Sequence, residues 1–120
     1  MSTSVSPPAR GDVWKINFDP TIGAEIKKIR PAIVISSDAI GILPIKLVAP
    51  ITKWKDSFKH KLWLVPVNPD DNNGLTEESV VDTLQIRGVE IRRFINKMGR
   101  VTFDLLEEIG AAVAIVVEYE

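Results

Sequence analysis

Only one stretch of this chain has the period of a helix, and it comes last. Beyond Thr102, an N-cap with Asp104 in the first turn, the apolar residues Leu105, Leu106, Ile109, Ala112, Val113, Val116 and Val117 recur at steps of three and four. Gly110 lies inside this period, where it costs ~1 kcal/mol relative to alanine; it reads as a point of close approach to a neighbouring element. Upstream, apolar runs are short and are cut by proline, glycine or Asn/Asp clusters. Asp12 to Phe18 alternates, with Trp14, Ile16 and Phe18 on one side, until Asp19-Pro20 stops it. Ala32 to Ile35 and Ile45 to Ala49, separated by a turn over Asp38 to Pro44, read as strands covered on two sides. Leu62 to Val67 contains Pro66, which cannot donate to a ladder and so argues for an edge or a strand end. After the turn-forming loop Asn68 to Gly74, a strand is expected from Ser79 through Ile86 and a short last one from Ile95 to Val101. Strands first and a helix last make a mainly β, α+β chain. The most economical arrangement is a small, SH3-like, twisted and partly closed barrel of five to seven strands with the long C-terminal helix against it.

Length sets the scale of that barrel. A chain of 120 residues fits one domain, expected here over residues 10–120, with the small and polar residues 1–9 as a frayed tail and not a leader. Hydrophobic residues make up 45% and charged residues 26%, a globular composition with no apolar run of the ~18 residues a membrane span needs. Cysteine is absent, which excludes disulfides, thiolate nucleophiles and cysteine zinc sites and fits a cytoplasmic address. The net charge of -1 conceals an asymmetry: residues 1–61 carry ten Lys/Arg against five Asp/Glu, and residues 62–120 carry five against eleven. Either a basic face attracts phosphates locally, or the two sets intermix on folding.

The sequence is poor in the usual catalytic signatures. There is no phosphate loop, dinucleotide fingerprint or nucleophile elbow, and the one histidine, His60, sits in a lysine-rich loop that reads as solvated surface. With no second ligand at metal spacing, metal-free chemistry is favoured. The remaining concentration of polar groups suits a phosphodiester: Glu25, Lys27, Lys28 and Arg30 in one loop, and Thr52 with Lys53 at the end of the Ile45 strand. Cleaving RNA without a metal requires a base for the 2'-hydroxyl, positive charge for the developing phosphorane and a hydrogen bond or proton for the leaving oxygen. Glu25 is the carboxylate placed among cations. Arg30 offers a planar fork for phosphate oxygens beside the restricting Pro31, and the Thr52 hydroxyl can orient the phosphate. By spacing alone, Glu25 and Arg30 read equally well as a surface ion pair.

Arg10-Gly11-Asp12-Val13-Trp14, Asp19-Pro20-Thr21, Gly23-Ala24-Glu25, Arg30-Pro31-Ala32, Val48-Ala49-Pro50-Ile51-Thr52 and Ser79-Val80-Val81 with Gln85-Ile86-Arg87 follow one another in a fixed order and spacing. In these blocks the chain resembles the MazF/PemK (Kid) toxin family, over most of residues 10 to 101. The Arg-Pro and Pro-Ile-Thr motifs are the specific ones. The resemblance implies a CcdB/MazF/Kid-like fold, a homodimer, and the toxin of a bacterial type II toxin–antitoxin pair. It implies a cofactor-free ribonuclease that cuts single-stranded mRNA, sometimes rRNA, at a short sequence, leaving 2',3'-cyclic phosphate and 5'-hydroxyl ends. The implied partner is a MazE-like antitoxin whose acidic C-terminal segment fills the basic groove; operator DNA is met only as part of that complex.

Carried over by position, the family's catalytic arginine is Arg30, its catalytic threonine or serine is Thr52, and Glu25 matches a glutamate proposed as base in some members. A guanidinium does not give up its protons, so hydrogen bonding and charge stabilisation suit Arg30 better than general acid catalysis. Lys27, Lys28 and Lys53 are expected on substrate phosphates. Gln85 and Arg87 match a pattern near the RNA groove, where they either read the substrate or support the loop hairpin. Ala24 departs from a usual serine, and Lys53-Trp54 from small polar residues; Trp54 either stacks on a base or packs under a loop. Related barrels of the CcdB type bind gyrase and cleave nothing, and a plain nucleic-acid-binding module is the other alternative. Arg30-Pro31 with Thr52 favours the enzyme, since a gyrase poison has no need of that pair.

Overall fold

The structure, a computed structural model, describes residues 6–119. Seven strands precede one helix: β1 (Asp12–Asn17), β2 (Ile29–Val34), β3 (Ile45–Lys53), β4 (Leu64–Val67), β5 (Ser79–Asp82), β6 (Arg87–Glu90), β7 (Phe94–Arg100) and α1 (Phe103–Val116). Of the expected N-terminal tail, residues 1–5 lie outside the described residues; Pro8 is buried and the Ala9 N–H donates to Asp12 Oδ2 at 2.9 Å.

All pairings are antiparallel, and β3 is the hub. One edge of β3 pairs with β2 from Val48 to Pro50; its other edge takes β6 from Ile45 to Val48 and then β5 from Ile51 to Lys53. The bonded strands run β4-β5-β3-β2-β1-β7, with β6 alongside β3. The partly closed barrel expected from the strand count is therefore not formed. The sheet is open: β4 bonds to β5 and β7 to β1, and these two end strands do not pair with each other. Closure needs a ladder between the ends, and β4 offers only four residues, one of them Pro66 without a donor. The single strand expected from Ser79 to Ile86 is also divided. Asp82 accepts the Leu84 N–H at 3.0 Å, and this side-chain bond starts a 3-10 turn over Thr83–Gln85 that separates β5 from β6.

Two apolar layers result from the alternation along β1 and β2. Val13, Ile33, Ala49, Ile51, Val65 and Val81 face α1, which buries Leu105, Leu106, Ile109 and Ala112 against them. Trp14, Ile16, Phe18, Ala32, Val34, Val48 and Val89 form the second layer, closed by Phe94 edge-on to Trp14 at 5.7 Å. The first half of β3 departs from the expected two-sided cover, since Ile45 and Leu47 are exposed. The helix starts as its sequence predicts, with Thr102 Oγ1 accepting the Leu105 N–H at 3.1 Å. Gly110 is not a point of close approach: a Cβ there would meet nothing within 4 Å. Gly110→Ala is accordingly expected to raise stability by about 0.5–1 kcal/mol, read as a higher urea midpoint at unchanged slope.

The Arg10 to Trp14 block is explained by structure. Asp12, 2% exposed, receives Arg100 Nη1 at 2.6 Å, with Lys97 Nζ 3.5 Å away and the Trp14 indole N–H at 3.4 Å. This buried, paired carboxylate ties β1 to β7.

Candidate active site

A proline opens a cleft in the sheet. The β2–β3 ladder ends at Ala32↔Pro50; one residue further, Pro31 faces Lys15 of β1 and has no N–H with which to continue toward β3. Pro50 sits between the β6 and β5 ladders, opposite the turn, so its missing donor interrupts neither. Past this point β3 continues with β5, and a wedge is left between the start of β2 and the end of β3. The resulting cleft, about 300 Å³, is lined by Lys15, Arg30, Thr52, Lys53, Glu77 and Ser79 over a floor that includes Pro31, Ile51 and Met98. Arg30 is exposed and Thr52 half-buried, each two residues beyond the last β2–β3 pair. Lys53 Nζ lies 3.2 Å from Glu77 Oε1 across the opening, an exposed pair. Three cations beside the Thr52 and Ser79 hydroxyls and one paired carboxylate are suited to holding a phosphodiester.

Glu25 lines a different cavity, of about 520 Å³, together with Phe18, Pro50, Trp63, Asp82, Gln85 and Arg87. Its Oε1 accepts the Ile22 N–H of its own loop at 2.7 Å. Gln85 and Arg87 are both engaged within the chain. Gln85 Oε1 accepts the Ile26 N–H at 2.5 Å and its Nε2 donates to Ala24 O at 3.4 Å, while Arg87 Nη1 donates to Phe18 O at 3.2 Å. Asp82 stands beneath them with its carboxyl raised above the ordinary range by burial, an effect only partly offset by hydrogen bonds from Leu84 and Gln85.

The remaining expected residues are spread around these two cavities. Lys27 and Lys28 are exposed on the loop, and Lys28 takes a left-handed backbone (φ 67°) while its N–H donates to Asp19 Oδ1 at 2.9 Å. Trp54 packs edge-on to Phe58 at 6.4 Å. His60 lies in a third cavity with Leu62 and Trp63, apart from the cleft. Among the described residues no three His, Cys, Asp or Glu side chains gather to hold a metal ion, and no helix is long and apolar enough to cross a membrane. Sequence reasoning missed Lys15, Glu77 and Asp82. Lys15 carried a usable signal, as the cation on the exposed side of the alternating β1 strand; Glu77 and Asp82 had none, because their places depend on how β5 meets β3.

The family model of PemK-like, MazF-like toxins of type II toxin–antitoxin systems matches residues 9–117. The chain is 31% identical over 111 residues to the endoribonuclease toxin ChpB of Escherichia coli, an alignment spanning 91% of this chain and 93% of that one. Its fold is similar to that of MazF from Deinococcus radiodurans, with a TM-score of 0.79 at 24% identity over 95% of this chain and 99% of that chain. It is also similar to a chain of the MazE-MazF complex from that organism, with a TM-score of 0.73 at 24% identity over 97% and 100% of the two chains. A match along nearly the whole chain, together with this fold, shows that the protein belongs to the PemK-like, MazF-like toxins of type II toxin–antitoxin systems.

Proposed function

We propose that this protein is a metal-independent, sequence-specific endoribonuclease that cuts single-stranded mRNA, or rRNA, to 2',3'-cyclic phosphate and 5'-hydroxyl ends. The observation that carries this reading is one cleft holding Arg30 and Thr52 with Lys15 and Lys53, in a member of a toxin family whose relative ChpB is an endoribonuclease. Arg30 stabilises charge on the phosphorane oxygens, Thr52 orients the scissile phosphate, and Lys15 and Lys53 hold flanking phosphates. Lys27 and Lys28 extend the positive surface along the loop. Gln85 and Arg87 act on substrate indirectly, through the loop backbone they hold. The exposed Ile45 and Leu47, on one face of β3, support a homodimer, and the MazE-MazF likeness supports control by an antitoxin whose acidic segment enters the cationic cleft. Operator DNA is met only within that complex, in the cytoplasm. The test is cleavage of a long single-stranded RNA by purified protein in EDTA, with product ends identified by mass spectrometry. Absence of discrete cuts by folded protein would remove the reading in favour of a binding toxin.

Glu25 on the loop is the proposed base. A second reading is favoured by one observation, that Glu77 is the carboxylate lining the cleft itself. If Glu25 is the base, Glu25→Gln lowers kcat by about 10²–10⁴-fold and Glu77→Gln leaves it within a few-fold; the reverse pattern transfers the role to Glu77. Single-turnover cleavage by the two variants distinguishes them.

A further inference from the structure

The loop between β1 and β2 carries Glu25, Lys27 and Lys28 and runs directly into Arg30. Two arginines and one glutamine from the second half of the chain fasten it. At the entry, Arg87 Nη1 donates to Phe18 O at 3.2 Å with its guanidinium 5.7 Å over the Phe18 ring, and Arg93 Nη1 donates to Asn17 O at 3.2 Å and to Asp19 O. At the exit, the Lys28 N–H donates to Asp19 Oδ1 and its carbonyl accepts the Phe18 N–H, both at 2.9 Å, and between the two ends Gln85 holds the stretch that carries Glu25. Gln85 Oε1 accepts the Ile26 N–H at 2.5 Å, and its Nε2 donates to Ala24 O at 3.4 Å and to Asp82 Oδ2 at 3.3 Å.

A primary amide in this position has one correct orientation. Turned end for end, it would set its NH2 group against the Ile26 N–H and its oxygen against two acceptors. Asp82 enforces that orientation, because an ionised carboxylate only accepts; its Oδ1 is held in turn by the Leu84 N–H at 3.0 Å. We propose that Gln85, aimed by Asp82, is the latch that fixes the Ala24–Ile26 stretch of the β1–β2 loop and thereby sets Glu25. Both are positioning residues: neither lines the cleft that holds Arg30 and Thr52.

Asp82 serves the turn after β5 through Oδ1 and Gln85 through Oδ2. Burial raises its carboxyl above the ordinary range in the native chain, so the native state binds this proton more tightly than the unfolded state does. Its stabilising contribution is present below the ordinary carboxylate range and is lost as pH rises through the raised native value. The charged form thus carries a desolvation cost at the place where it orients Gln85. A neutral asparagine removes that cost but presents an NH2 group to Gln85 Nε2, which misaims the latch.

The test is amide hydrogen exchange of the full chain at neutral pH, resolved at Ile26, in wild type, Gln85→Ala, Asp82→Asn and the double variant, beside urea unfolding. Exchange at Ile26 is expected to rise about tenfold in each single variant, with β2 and β3 amides unchanged. The double variant should match Gln85→Ala and not exceed it, since Asp82 acts through Gln85. Asp82→Asn should unfold at the same or a higher urea midpoint. Unchanged Ile26 exchange in Gln85→Ala, additive effects in the double variant, or a general loss of protection and stability in Asp82→Asn would each overturn the latch. A final arm rests on the proposed cleavage: kcat on RNA falls about tenfold in Gln85→Ala with KM changed far less, as expected when a transition-state group is misplaced. If wild-type protein cuts no RNA, the cleavage reading fails, and the exchange data still decide on the latch.

Discussion

Arg30→Ala is expected to lower kcat for single-stranded RNA by about 10²–10³-fold, the usual loss when a preorganised donor to a developing oxyanion is removed. Arg30 is exposed at the mouth of the cleft, so its removal uncovers no core and the unfolding midpoint should stay near wild type. Arg30→Lys should recover only part of the rate, because an ammonium supplies charge without the fork that engages two phosphate oxygens. Thr52→Ala is expected to cost less, about 10- to 100-fold, in keeping with one hydrogen bond to a charged group. Equal kcat in wild type and Arg30→Ala, with both folded, would place the chemistry outside the Arg30 cleft.

The second large effect is on stability. Gly99→Ala is expected to destabilise the fold by about 3 kcal/mol or more, measured by urea unfolding. Gly99 lies on β7 opposite Val13, with the 68–74 loop laid directly on it. A Cβ there would fall 2.8 Å from Asn73 C and 2.9 Å from Asn72 C, against an ordinary carbon contact of about 3.5–4.0 Å, and would drive into the Asn72 carbonyl oxygen. The obstacle is backbone, which cannot rotate away. That backbone is also pinned: Arg100 N–H donates to Asn72 O at 2.8 Å, and the buried Asn73 amide bonds Asn68 O and accepts the Leu75 N–H. Displacing the loop therefore exposes Leu75 and orphans a buried amide. Gly74→Ala meets the same contact from the other side, with Met98 C and Cβ at 2.9 Å and a left-handed φ of 73° in addition. Wild-type stability in Gly99→Ala would mean that loop and strand do not pack this closely in solution.

Local periodicity was legible in the residues alone. The alternation of Trp14, Ile16 and Phe18, the β-branched run from Ala32 and the helical spacing from Leu105 each correspond to an observed element, because side-chain burial imposes periods of two and 3.6 on nearby residues. Family motifs further singled out Arg30 and Thr52, and the two line one cleft. Whether the sheet closes was not legible, since that depends on ladders between strands far apart in sequence, and β4 and β7 never pair. The same holds for the division of the Ser79 to Ile86 run: its apolar pattern suits one strand, and a side-chain bond from Asp82 to the turn decides for two. Gln85 could equally have faced substrate; only the meeting of the turn after β5 with the β1–β2 loop, 59 residues away in the chain, commits its amide to the backbone of Ile26. Short-range order thus follows from which faces are apolar. The cleft and its companions Lys15 and Glu77 exist because Pro31 stops the β2–β3 ladder where β3 passes on to β5, and only chain pairing in three dimensions brings those strands together.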